Sequence, residues 1–313
     1  MKRILLTDDT HEVLQQRLRE AGFDVDIDCS LDYDGLVSVV DGYDAIVVRS
    51  KVVIDRAFID HCHRLRCIAR VGAGMETIDV DYAEQRGIRC LNSPEGNRQA
   101  VGEHAVGLLL SLMDNIARAD AEVRRGMWQR EANRGVELCG RTVGIIGFGN
   151  MGSSFARCLS GFGCRILAYD KYKRCYAPDH VEEVSLCALQ READIVSFHV
   201  PLTDETRHMA DSSFFSSFAN PIYLLNTSRG AVVSTLDLVD AMQRGKVLGA
   251  ALDVIEYENM SKDGLDLAAL PADFDYLLHS PHTVLSPHVA GWTVESKYKL
   301  AAVLADKIIN VLK

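Results

Sequence analysis

Arg229 stands four residues after the apolar run Tyr223–Leu225, in the stretch "YLLNTSRGAVVS". The run reads as a buried strand, so a fixed positive charge falls just beyond its carboxyl end. Ligands of open α/β sheets bind beyond the carboxyl ends of strands. A guanidinium there suits a carboxylate, which it grips with a two-pronged hydrogen bond; the plainer alternative is a surface salt bridge. His288, in "VLSPHVAGW", also lies just past a strand-like run. With an unperturbed pKa of ~6.5, an imidazole takes up a proton in one direction and returns it in the other. The competing reading is a core histidine bonded to backbone. "ALDVIEYEN" supplies Asp253, Glu256 and Glu258 at the end of another strand. A carboxylate bonded to the imidazole would orient it and raise its pKa.

A second constellation suggests the co-reactant. "RTVGIIGFGNMGSSFARCLSGFGCRILAYD" contains Gly147, Gly149 and Gly152 as G-x-G-x-x-G. Alone that pattern is weak. Here an apolar strand precedes it and a helix with Phe155, Leu159 and Phe162 on one face follows. The next strand ends in Asp170, 18 residues after the last glycine. Gly147 permits the tight turn, Gly149 lets a pyrophosphate reach the backbone, and Gly152 lets helix and strand pack closely. The helix N-terminus offers its N–H groups to the phosphates. Asp170 can accept the hydroxyls of an adenosine ribose and would repel a 2′-phosphate, so NAD is expected rather than NADP. Lys171, Lys173 and Arg174 lie beside it and read as a solvated loop. A nicotinamide enzyme acting on a carboxylic acid needs a carboxylate holder and a proton carrier, the roles open to Arg229 and His288.

The elements that must carry these residues alternate along the chain. Arg3–Leu6, Val25–Ile27, Ala45–Val48, Cys67–Arg70 and Arg89–Leu91 read as strands. Amphipathic segments such as "EVLQQRLREAG" lie between them, that one with a capping box from Asp9 to Glu12. A long helical stretch follows, from about Gln99 to Arg125, and no strand interrupts it. A second series then begins: Thr142–Ile146, Arg165–Tyr169, Ile195–Phe198, Tyr223–Leu225, Leu248–Leu252 and Val284–Leu285. The alternation predicts two α/β domains, each a doubly wound parallel sheet covered by helices. The length of 313 residues agrees, since one domain usually takes ~100–200.

Composition excludes other classes. A net charge of −10 argues against a nucleic-acid or anionic-membrane partner. Nine cysteines without a CxxC pair read as reduced thiols of a cytoplasmic protein. "MKRILLTDD" lacks the apolar run of a signal peptide, and Ala105–Met113 is about half of the ~20 residues of a membrane span. "HCHRLRC" (His61–Cys67) has no zinc-like spacing and reads as a helix end; no metal is expected. His279 and His282 read as loop residues, and Trp128 and Trp292 as packing residues.

"GFGNMG", "NTSRG", "AALDVIEYE" and "SPHVAGW", in that order, resemble the NAD-dependent D-isomer-specific 2-hydroxyacid dehydrogenases. The resemblance covers essentially the whole chain, with "VGAG" (Val71–Gly74) and "HVPLTDETRH" (His199–His208) also matching. It implies that Arg229 holds the substrate carboxylate, that His288 is the acid/base, and that Glu258 pairs with it. Glu258 lies 29 residues after Arg229 and 30 before His288, as in the family. Asp253 matches the aspartate near the nicotinamide carboxamide. The N–H groups at Ala73 and Gly74 match a carboxylate-holding loop. Phe148, Asn150 and Met151 of the glycine motif, with His199, Val200, Pro201, Thr206, Thr227 and Gly291, fall at cofactor-binding positions. Many members have proline after the glutamate; here Asn259 replaces it, leaving the following loop to about Pro281 undefined in shape.

The resemblance also implies a Rossmann NAD-binding domain, 98–288, inserted in a flavodoxin-like substrate domain, 1–97 and 289–313. The amphipathic segment "VESKYKLAAVLADKIINVLK" would return to the N-terminal part. A homodimer is implied, with Gln99–Gly140, including "AVGLLLSLM" and Trp128, as its interface. Arg49, Lys51 and Arg70, at strand ends of the first domain, would gather around the far end of a substrate. Phosphoglycerate dehydrogenases are similar at Arg49 and Arg70, so D-3-phosphoglycerate is the expected substrate. A chain ending at Lys313 has no room for the extra regulatory domain of many such enzymes. Glycerate, hydroxypyruvate or glyoxylate are the alternative substrates. A corepressor-like NAD(H)-sensing protein and a hydrolase with bound NAD remain rival functions.

Overall fold

The computed structural model describes residues 1–258 and 271–313. Asn259 and the chain to residue 270 lie outside the described residues. The chain divides into two compact units, Met1–Arg98 with Trp292–Lys313, and Gln99–Gly291.

The first unit holds a five-stranded parallel sheet: β1 (Arg3–Leu6), β2 (Asp24–Ile27), β3 (Ala45–Val48), β4 (Cys67–Arg70) and β5 (Arg89–Leu91). Its order, β2-β1-β3-β4-β5, is that of flavodoxin-like sheets. Successive side chains point to opposite faces, so apolar runs bury both sides. Ile4, Leu6, Ala45 and Val47 face one core with Ala301, Leu304 and Ile308 of the helix Val294–Leu312. Leu5, Ile46, Val48 and Ile68 face the other, against Leu36, Phe58 and Ile59. The chain's last helix thus packs on its first strands, with Leu304 and Ile308 fully buried and Leu300 half-buried. Gly96 makes room for it, since a Cβ there would collide with the backbone at Leu300.

The second unit holds seven parallel strands: β6 (Thr142–Ile146), β7 (Arg165–Tyr169), β8 (Glu182–Glu183), β9 (Ile195–Phe198), β10 (Ile222–Asn226), β11 (Val247–Leu252) and β12 (Thr283–Leu285). Their order is β12-β11-β10-β9-β6-β7-β8. Counted from β6 this is the 3-2-1-4-5-6 winding of dinucleotide-binding sheets, extended by one strand. The chain reverses direction of winding between β6 and β9, so their carboxyl ends flank the switch point.

Two local expectations fail. The stretch expected as one long helix is two, Arg98–Met113 and Ile116–Arg124, broken at Asn115 in the left-handed region (φ 55°). Asparagine tolerates that conformation better than most residues. The expected Asp9–Glu12 capping box is absent: the helix Val13–Glu20 starts without a side-chain cap from Glu12, and His11 Nδ1 accepts from the Val13 N–H at 3.2 Å. Asp9 instead pairs with Lys297 at 3.1 Å. "AVGLLLSLM" turns most of its apolar side chains inward: Ala105, Leu108, Leu109, Leu112 and Met113 sit in the core of the second unit, while Gly107 is exposed. Among the described residues no helix is long and apolar enough to cross a membrane.

Candidate active site

The glycine motif makes a cradle on the second unit. β6 runs into Gly147, whose φ of 90° and contact with the His199 carbonyl admit no side chain. At Gly152 a Cβ would overlap the Gly147 carbonyl oxygen, so helix and turn could not close up. Gly149 differs: nothing lies within 4 Å of where its Cβ would be. It is the N-cap of the helix Asn150–Leu159, so that open space lies against free helix N–H groups. A pyrophosphate fits this cradle on both counts.

Asp170, at the end of β7, closes the motif. Its carboxylate accepts from the N–H groups of Phe148 (2.9 Å), Tyr172 (3.0 Å) and Lys173 (3.1 Å). Burial pushes the carboxyl pKa up, but those bonds and the Lys173 charge outweigh it and hold Asp170 below the ordinary range. The neighbouring cations have partners in the protein. Lys171 pairs with Glu205 at 2.8 Å, Lys173 Nζ donates to the Phe148 carbonyl at 2.8 Å, and Arg174 donates to the Asp170 and Lys173 carbonyls. Thr227 Oγ1 and His199 Nδ1, at the ends of β10 and β9, are buried without a hydrogen-bond partner. Unpartnered polar atoms beside a ligand cradle are what a bound cofactor would satisfy.

Beyond β10 the chain is tied into shape by Asn226. Its Oδ1 accepts from the Ser228 N–H (3.0 Å) and hydroxyl (2.7 Å), and its Nδ2 donates to the Arg229 carbonyl (2.9 Å). Gly230 follows, where a Cβ would overlap the Ile255 carbonyl, so the Arg229 turn lies directly on the loop after β11. In that loop Glu258 Oε1 accepts from the Ile255 N–H at 2.8 Å, while Oε2 meets His288 Nδ1 at 2.7 Å. A carboxylate only accepts, so Nδ1 carries the hydrogen and Nε2 is the atom available for proton exchange. The hydrogen bond to Glu258 raises the His288 pKa above its ordinary value, against burial and the Arg229 charge, which lower it. Glu256 is engaged elsewhere, with His208 at 2.6 Å and the Thr235 N–H at 2.9 Å.

Asp253 is tied into the protein itself. Its side chain has no exposed surface. It accepts from Ser286 Oγ (2.6 Å) and from the N–H groups of Val289 and Ala290 (both 2.9 Å), while its carbonyl accepts from the His288 N–H (2.7 Å). It thereby holds the turn in which His288 takes a left-handed backbone, φ 54°. The His199 ring is also turned inward, onto Ser197 Oγ at 2.8 Å; burial pushes its pKa down to about 3, so it stays neutral. The Thr206 hydroxyl closes its own loop on the Pro201 carbonyl and the Thr203 N–H. Sequence reasoning missed Asn226, Ser286 and Gly230; "LLNTS" and "LSPH" carried no sign of side-chain-to-turn bonding beyond residue type.

On the first unit, the loop Val71–Gly74 follows β4. Its carbonyls are anchored: Gly72 by the Ser93 N–H (2.9 Å), Ala73 by Asn92 Nδ2 (2.6 Å), Gly74 by Arg70. No described residue accepts from the N–H groups of Gly72, Ala73 or Gly74, which suits them to an anion. Arg70 is a brace of that loop, bonding also to the Arg49 carbonyl (3.0 Å), rather than a projecting cation. Lys51 reaches away to the Cys29 carbonyl (2.8 Å). Arg49 lies over the ring of Trp292 at 5.4 Å and touches the Asp9 carbonyl only at 3.5 Å. The three cations do not converge. Trp292 and Trp128 are not packing residues: they are 72% and 77% exposed.

A family model described as "D-isomer specific 2-hydroxyacid dehydrogenase, NAD binding domain" matches residues 106–290. The chain is 32% identical to a D-3-phosphoglycerate dehydrogenase of Archaeoglobus fulgidus over 99% of its own length and 57% of that protein's. It thus spans little more than half of that relative. It is 35% identical to a hydroxypyruvate reductase of Thermotoga maritima over 90% of its length and 89% of that protein's. Among solved structures, the TT0316 protein from Thermus thermophilus superposes with a TM-score of 0.80 at 30% identity, covering 99% of this chain and 96% of that one.

Proposed function

Because the chain belongs to the D-isomer-specific 2-hydroxyacid dehydrogenase family, we propose that it moves a hydride between NAD(H) and C2 of a small D-2-hydroxy or 2-keto acid. The observation that carries this reading is the Glu258–His288 pair, 2.7 Å apart, within the field of Arg229. When bound, the dinucleotide supplies or accepts the hydride. In keto-acid reduction His288 Nε2 gives its proton to the forming alkoxide, and Glu258 stabilises the imidazolium that does so. Arg229 grips the substrate carboxylate and thereby orients C2. Asp170, whose charge would repel a 2′-phosphate, favours NAD over NADP. NADH oxidation with a panel of 2-keto acids, in wild type and His288→Asn, tests the reading.

Within that class we place D-3-phosphoglycerate and 3-phosphohydroxypyruvate first. Arg49 supports this, since among the described residues its guanidinium meets a carbonyl at long distance and an aromatic face, leaving it able to take a phosphate. A second reading, glycerate with hydroxypyruvate, is favoured by the engagement of Arg70 and Lys51 with backbone carbonyls. The kcat/KM ratio for 3-phosphohydroxypyruvate over hydroxypyruvate separates the two, and Arg49→Ala should lower it if the first holds. We propose a cytoplasmic homodimer using the helix Ile116–Arg124, none of whose residues is buried, together with Trp128. Light scattering at micromolar concentration tests it: a mass near 34.6 kDa would refute the dimer.

A further inference from the structure

His104 projects from the middle of the helix Arg98–Met113. The helix is seated tightly: a Cβ on Gly102 would press on Ser154 of the neighbouring helix. Its seat brings His104 Nε2 to 3.0 Å from Ser286 Oγ and 3.4 Å from Asp253 Oδ1. The hydrogens in this cluster follow from capacity alone. The Asp253 carboxylate, held in the charged form, only accepts, so the Ser286 hydroxyl donates to it at 2.6 Å. Having given its single hydrogen, Ser286 can only accept from His104, so Nε2 carries a proton in either charge state of the ring.

The cluster matters because of what Asp253 holds. Burial pushes the Asp253 carboxyl up, yet its bonds to His104, Ser286, Ala290 and Val289 outweigh that and keep it below the ordinary carboxyl range. An ionised carboxylate with no exposed surface is tenable only while such donors are present. The same carboxylate fixes Val289 and Ala290, the residues that follow His288 in its left-handed turn. Such a backbone persists only where its surroundings over-determine it.

We propose that His104 is a positioning residue for His288, acting through Ser286 and Asp253: its Nε2–H completes the donor set around the Asp253 carboxylate and so holds the His288 turn in place. This rests on the function proposed above, in which His288 carries the proton. His104 touches neither Arg229 nor Glu258 among the contacts of the described residues. Its effect therefore reaches the imidazole through Asp253 and the turn, not through direct contact with either residue.

Two variants and two readouts test this. His104→Leu removes the donor; His104→Gln keeps an N–H near the position of Nε2. The expected result is a fall in kcat for keto-acid reduction of roughly 10- to 100-fold in the leucine variant. Its NADH Kd should change less than about threefold, and glutamine should restore most of the rate. In the cofactor-free protein, nitrogen-15 NMR of the histidine rings should show Nε2 of His104 protonated in wild type. The His288 signals should move in His104→Leu and stay near wild type in His104→Gln. Unchanged kcat and unchanged His288 signals in a folded leucine variant would overturn the proposal, as would an Nδ1–H tautomer at His104. If wild type turns over no keto acid with NADH, the function fails instead, and the NMR comparison still decides whether His104 sets the His288 turn.

Discussion

Glu258 and His288, separated by 30 residues of chain, meet at 2.7 Å with the imidazole Nδ1 on the carboxylate. That one contact fixes the tautomer, leaves Nε2 as the exchanging atom, and raises the pKa of the ring. Its counterpart two residues earlier, Glu256, is held off by His208 and Thr235.

The pair predicts a pH effect with a definite sign. Reduction needs protonated His288, so its rate falls as pH rises through the raised pKa. Glu258→Gln removes the main cause of that rise, so the alkaline limb of kcat for reduction should move to lower pH. Oxidation needs the neutral ring and should extend to lower pH in the same variant. Profiles that coincide with wild type would mean another group sets the limb.

Arg229 should matter more to activity than to stability. Arg229→Ala is expected to cut kcat/KM for keto acids by at least ~100-fold, with Tm little changed, because both grip and orientation are lost. Arg229→Lys should recover little of it, since an ammonium cannot make the two-pronged contact. Near-normal kcat/KM in the alanine variant would make the residue a surface cation.

At Gly230 the argument is about space. A Cβ there would overlap the Ile255 carbonyl, and backbone cannot step aside as a side chain can. Gly230→Ala should cost about 1–3 kcal/mol in urea unfolding. It should also separate the Arg229 turn from the Glu258 loop and lower kcat. Unaltered stability would show that the two loops have room to part without cost.

Cofactor choice rests on Asp170. Asp170→Ala should move the kcat/KM ratio for NADH over NADPH toward NADPH by removing the charge that repels a 2′-phosphate and the anchor of the Phe148 turn. A wild type already preferring NADPH would contradict the assignment.

Most strands were legible because they are parallel and buried on both faces, giving apolar runs such as Ala45–Val48 and, with Ser197 its one polar residue, Ile195–Phe198. β8 was not, since two exposed glutamates at a sheet edge carry no such signal. The break at Asn115 was hidden because the flanking sequences are both helical in pattern. Arg229, Glu258 and His288 were readable as candidates from residue type and strand-end position. The inward turn of Asp253 was not, because it depends on Ser286, Val289 and Ala290 coming back to it from more than thirty residues away. Likewise Arg49, Lys51 and Arg70 share strand ends, yet nearby carbonyls draw two of them apart.

The most direct test of the central claim is NADH oxidation by the purified protein against 2-keto acids, with wild type and His288→Asn side by side. The account predicts turnover by wild type with at least one keto acid. In the asparagine variant kcat should fall by roughly 10²–10⁴ while NADH binding stays nearly unchanged. A wild type that binds NADH but turns over no keto acid, or a variant as active as wild type, would contradict it.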